Sequence, residues 1–221
     1  MLYRRRRGPR DVRANLYELI TGTFDHRTAS SFLSRRDWKK DACIITIVRD
    51  PIERAISFVF QNPRLNAPEL LGDDGELNSQ AVLNYLQEDM EAEAMFISDW
   101  FESEFEPAVG TPISAVEFDQ KLGYGMLETE GLRIVAVSLA LMGEALPNVL
   151  SNLYQNEVCL QIEKRNVRSE SRFAGAYGEA RNQVALDEVV LRRIYETGFA
   201  KQFFSLDERN KAIAHWSRHD I

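Results

Sequence analysis

Arg49 and Ser57 are the residues whose types and spacing point most directly to chemistry. They bracket the string Arg49-Asp50-Pro51-Ile52-Glu53-Arg54-Ala55-Ile56-Ser57, which follows an apolar run and opens a helix. A guanidinium can grip a phosphate through paired hydrogen bonds, and a hydroxyl can add one more. The helix N-terminus beside them favours negative charge. The same residues admit a plainer arrangement, with Arg49 a surface arginine paired to Asp50 or Glu53. Beyond residue 40 the only concentrated basic patch is Lys164-Arg165-Asn166-Val167-Arg168, which by composition reads as a solvated turn.

The elements that must hold these residues are legible from periodicity. Ala42–Val48 is a continuous, β-branched run, the pattern of a central strand buried on both faces of a parallel sheet. After it, Asp50 suits the N-cap, Pro51 the first helical position, and Glu53 the reciprocal position of a capping box. Ile52, Ala55, Ile56, Val59 and Phe60 give this helix its apolar face, and Asn62-Pro63 ends it. Upstream, residues 1–10 read as a flexible basic arm and Asp11 to Thr21 as a helix stopped by Gly22.

Downstream, residues 63–78 form a loop or insertion, and Ser79 to Phe105 an acidic stretch of two helices. The stripe through Trp100, Phe101 and Phe105 reads as core, and Pro107 to Pro112 breaks the helix. Gly123–Glu128 and Gly131–Ser138 are two strands around a turn. A helix over 143–154 and a short strand over 157–162 follow. The C-terminal third is helical, with breaks near Gly175–Gly178 and at Gly198. The expectation is an α/β fold with extra helices, residues 11–221 forming a single domain behind the arm.

Composition narrows the function classes. The formal net charge of −7 divides into +7 over the first 40 residues and −14 over the rest. Between Leu65 and Gln120 there are 14 acidic residues and no Lys or Arg. A bulk nucleic-acid binder needs a basic footprint on its folded face, so nucleic acid is not the expected partner. Any anion site must be assembled locally from a few arginines. No run approaches the roughly 20 apolar residues of a bilayer span, so no integral membrane segment is expected. The start Met1–Arg7 has the charge of a signal peptide without its apolar region. Cys43 and Cys159 lie in apolar runs, as buried free thiols do, which suits a reducing, cytoplasmic setting. The chain has only three histidines, two of them in its polar tail, so no metal site is expected.

The Arg49–Ser57 string after a buried strand resembles the 3′-phosphate motif of sulfotransferases. In that family the Arg and the Ser eight residues later hold the 3′-phosphate of the sulfuryl donor PAPS, and a helix arginine, here Arg54, often accompanies them. Trp100–Glu104, Phe118–Tyr124, Asn166–Phe173 with Ala174–Tyr177, and the ending with Tyr195, Phe203-Phe204-Ser205 and Glu208 are similar, in the same order, to bacterial capsular polysaccharide synthesis proteins. The resemblance covers about Asp41 to the C-terminus. It implies a P-loop-like, three-layer parallel sheet of sulfotransferase type. It also implies transfer of a sulfuryl group from PAPS to a carbohydrate hydroxyl, leaving adenosine 3′,5′-bisphosphate.

By the same resemblance His26, 23 residues before Arg49, matches the histidine that takes the acceptor hydroxyl's proton. Imidazole titrates near neutrality, as such a base should. An exposed loop histidine is the other reading of His26. Arg165 and Arg168 match the basic stretch that closes over the nucleotide.

The chain departs from the family in two places. No strand–Lys-x-Gly-Ser/Thr–helix for the 5′-phosphosulfate is present, and Ser138-Leu139-Ala140-Leu141 stands where the family tends to have Glu-Asp-Leu. The first strand–loop–helix of the fold is therefore expected to be missing. Either the gene product begins upstream of Met1, or the chain is a degenerate, non-catalytic nucleotide-binding or partner-binding module.

Overall fold

The computed structural model describes residues 2–4, 42–61, 63, 67–129, 131–155, 158 and 173–217. The chain divides into two compact units, one of Met1–Val48 with Asp99–Leu160, the other of Arg49–Ser98 with Gln161–Ile221.

The first unit is built on a sheet. Its strands are β1 (Leu2–Arg4), β2 (Ala42–Val48), β3 (Glu117–Asp119), β4 (Tyr124–Thr129) and β5 (Leu132–Ser138). They lie in the order β1-β2-β5-β4-β3. Leu2–Arg4, inside the segment expected as a flexible arm, runs antiparallel to β2. β2 pairs with β5 in parallel, from Ala42↔Leu132 to Val48↔Ser138. β4 runs antiparallel to β5 and β3 antiparallel to β4.

The strand at 42–48 is thus where periodicity put it, but the sheet is mixed rather than parallel. β5 is the more buried strand, with Ile134 through Val137 all fully enclosed. β2 is buried through Cys43, Ile44 and Ile45, while Ile47 near its carboxyl end is 45% exposed. Cys43 is a free thiol, pushed up to about 11 by burial. Cys159 lies outside the described residues.

The β3–β4 turn is dictated by two glycines and an aspartate. Asp119 Oδ1 accepts the amides of Lys121 at 2.8 Å and Leu122 at 2.9 Å. Gly123 then closes the turn at φ +73°, which L side chains adopt only with strain. At Gly125 an added Cβ would stand 2.3 Å from the Glu117 carbonyl oxygen, so the backbones approach as only glycine allows. The Phe118–Tyr124 string that carried part of the resemblance therefore specifies a hairpin.

The second unit is helical: α1 (Pro51–Gln61), α2 (Ser79–Trp100, its last two residues counted with the first unit), and, after α3 and α4, α5 (Ala174–Gln183), α6 (Glu188–Tyr195), α7 (Gly198–Phe203) and α8 (Leu206–Trp216). The intervening α3 (Glu106–Val109) and α4 (Met142–Tyr154) belong to the first unit. There α4 supplies Ala145, Val149 and Leu150 to a cluster with Cys43, Ile45, Val135 and Val137. The core of the second unit joins α1, α2, α6 and α8, with Ile52, Ile56, Leu86, Met90, Leu191 and Trp216 all buried.

Three boundaries differ from expectation. Ser79–Trp100 is one helix, running through a π-helical turn at Phe101–Phe105 into α3. Pro107 lies inside this continuous helical backbone, two residues past the π-turn, and the stop comes at Gly110, at φ +80°. Gly175 and Gly178 lie inside α5 instead of breaking it, whereas Thr197 caps α7 at the expected break by Gly198.

Candidate functional site

The α1 N-terminus organises the polar chemistry of the second unit. As the sequence implies, Asp50 is its N-cap: Oδ1 accepts the Ile52 amide at 3.0 Å and the Glu53 amide at 2.9 Å. A helix start leaves its first amides without intrahelical partners; Pro51 has none to satisfy, and Asp50 takes these two. The second carboxylate oxygen, Oδ2, accepts the Tyr195 hydroxyl at 2.6 Å.

Tyr195, at the end of α6, is 1% exposed. Its backbone carbonyl accepts a hydrogen bond from Arg209 Nη1 at 3.2 Å. Burial raises the Asp50 carboxyl above the ordinary range, against the lowering pull of its amide and Tyr195 bonds. Burial, with the Asp50 charge adding to it, also raises the Tyr195 phenol. At neutral pH the phenol keeps its proton and donates it.

One turn on, Glu53 gathers cations rather than closing a capping box. Arg181 from α5 holds Oε1 through Nε at 2.8 Å and Nη2 at 2.7 Å. Oε2 is held more loosely, by Arg49 Nη2 at 3.2 Å and the Tyr177 hydroxyl at 3.5 Å. Tyr177 is fixed by an edge-on contact with Phe60, ring centroids 5.4 Å apart. Arg49 keeps 28% of its side chain accessible and Arg181 49%. Two guanidiniums thus converge on one carboxylate beside a helix N-terminus.

Arg49 makes the ion pair with Glu53 that the plainer reading named, and remains accessible enough to meet an anion. Ser57 lies on the second turn of α1 and is half-buried. Arg54 turns away from both, donating through Nη2 to the Glu93 carbonyl and stacking 5.4 Å over the Phe96 ring. Among the described residues its buried Nε has no hydrogen-bond partner, and burial lowers the guanidinium's proton affinity. His26, Arg165 and Arg168 lie outside the described residues.

The structure adds three residues to the neighbourhood of Arg49. Tyr177 and Tyr195 stood in strings that carried the family resemblance, with no role attached to either. Arg181 carried no signal, because an arginine in an exposed helical stretch is ordinary.

No described helix is long and apolar enough to cross a membrane. No curated protein and no solved structure matches the chain. The model of the family described as "Putative capsular polysaccharide synthesis protein" matches residues 75–205, more than half of the chain. Tyr177, Arg181 and Tyr195 fall inside the matched stretch, and the Arg49–Ser57 string precedes it. By that match the chain belongs to this capsular polysaccharide synthesis family.

Proposed function

We propose that the chain is a sulfotransferase-like protein of polysaccharide biosynthesis, transferring a sulfuryl group from PAPS to a carbohydrate hydroxyl. The observation that carries this reading is the accessible Arg49 guanidinium at the α1 N-terminus, with Ser57 two turns along the same helix. Membership of a polysaccharide synthesis family supports a carbohydrate acceptor. In this reading Arg49 and Ser57 bind the 3′-phosphate, and Arg54 steadies α1 through Glu93 and Phe96. Arg165 and Arg168 close over the nucleotide, and His26 takes the proton from the acceptor hydroxyl. The fold is then of sulfotransferase type, and the protein works in the cytoplasm on soluble PAPS.

The residues present fit a phosphate. Arg49 is held by Glu53 through a single contact at 3.2 Å, which an incoming dianion can exchange for paired bonds of its own. Titration calorimetry with adenosine 3′,5′-bisphosphate tests this. Binding by the wild type should weaken about tenfold or more in Arg49→Ala, the loss of hydrogen bonds to a charged group. Ser57→Ala should weaken it less. No binding by the wild type, or equal binding by Arg49→Ala, overturns the assignment. Nucleotide binding without transfer of labelled sulfate to any glycan would favour a non-catalytic member of the same family.

A further inference from the structure

We propose that Tyr195 is a positioning residue of the anion site, setting Arg49 in place through Asp50. This rests on the reading of Arg49 as a phosphate-binding residue. An aspartate N-cap ordinarily needs only the helix amides, and Asp50 has them from Ile52 and Glu53 on Oδ1. The bond to Oδ2 is of another kind. It comes from a phenol 145 residues away, at 2.6 Å, on a ring that is 1% exposed.

The residue that carries the phenol is held a second time, by Arg209 Nη1 at its backbone carbonyl. A rigid donor on one oxygen and two amides on the other fix the Asp50 carboxylate in position and in rotation. Asp50 is bonded directly to Arg49 in the chain. Restraining its side chain restrains the backbone from which the guanidinium projects, and the amides of the turn behind it. Loss of the phenol hydroxyl leaves the Asp50 carboxylate held by its two amides alone, with Oδ2 released, and Arg49 then samples more positions. Small displacements of a binding group are felt strongly where geometry is preorganised.

Tyr195→Phe keeps the ring and its packing and removes only the donor. Two measurements on the full chain decide the matter. In amide hydrogen exchange by NMR without ligand, the variant should exchange faster at Ile52 and Glu53. In calorimetry, the ratio of affinities for adenosine 3′,5′-bisphosphate and adenosine 5′-monophosphate should fall about threefold to tenfold, the range for one ordinary hydrogen bond. A merely structural role for the phenol lowers the melting temperature and leaves that ratio alone. Unchanged exchange at both amides, or faster exchange with an unchanged ratio, overturns the proposal. Wild-type protein that fails to bind the bisphosphate overturns the functional reading first, and this proposal with it.

Discussion

Asp50 and Asp119 make the same local bonds in different surroundings. Each uses Oδ1 to gather the amides two and three residues ahead, at 2.8–3.0 Å. Asp119 does so in water, and hydrogen bonds from Leu122 and Lys121 hold its carboxyl below the usual range. Asp50 does so among buried groups, where loss of solvent outweighs the same bonds and its carboxyl rises. An identical backbone device is thus a turn in the first unit and the base of a polar network in the second. The local sequence is the same in kind; what differs is whether distant residues close over the free oxygen.

Three experiments can break or sharpen that comparison. The largest effect is expected at Gly125, since the hairpin behind Asp119 is secured by backbone approach. Gly125→Val must displace the Glu117 strand and should cost about 3 kcal/mol, the upper range for overpacking, in urea denaturation. A near-neutral result would mean that the hairpin depends on its aspartate after all.

Next is Asp50→Ala, which removes a cap and leaves the buried Tyr195 hydroxyl without its acceptor. A loss of about 2 kcal/mol follows from those two terms. A loss no larger than that of an exposed cap would show that the phenol adds nothing.

The smallest and most discriminating effect is on pH dependence, read as denaturation midpoints of Asp50→Asn and Asp119→Asn against the wild type. A raised folded value means that Asp50 favours the fold at acid pH. That contribution is lost as pH climbs from the unfolded value of about 3.9 through the raised one. A lowered folded value means that Asp119 favours the fold above about 3.9 and loses this as pH falls. Relative to its Asn variant, the wild type should therefore weaken with rising pH at position 50 and strengthen at position 119. Slopes of the same sign would end the comparison.

What could be read from the sequence follows the reach of each interaction. Asp50, Pro51 and the apolar face of α1 act within one or two turns, and their spacing announces them. The β4–β5 hairpin is equally local. Glu53 was legible as acidic and in the first turn, but its partners Tyr177 and Arg181 lie 124 and 128 residues on. The nearer capping role was the one that spacing could suggest. The mixed sheet was hidden for a similar reason, since an apolar run carries no mark of its neighbours' direction. Gly175 and Gly178 misled because no atom of the described residues would meet a side chain there, so their presence in α5 marks no close approach among them.

The parallel pairing of β2 with β5 also sets the order in which the sheet can form. Its partners lie 90 residues apart along the chain, against 7 for Leu127↔Ile134 in the hairpin. Each doubling of a closed loop costs about 0.6 kcal/mol of chain entropy, so this closure costs about 2 kcal/mol more than the hairpin's. Folding should therefore begin with β4 and β5, on the microsecond scale of hairpins, and wait for β2. The strand that leads into Arg49 is then a late arrival, placed only after the chain between β2 and β5 has collapsed.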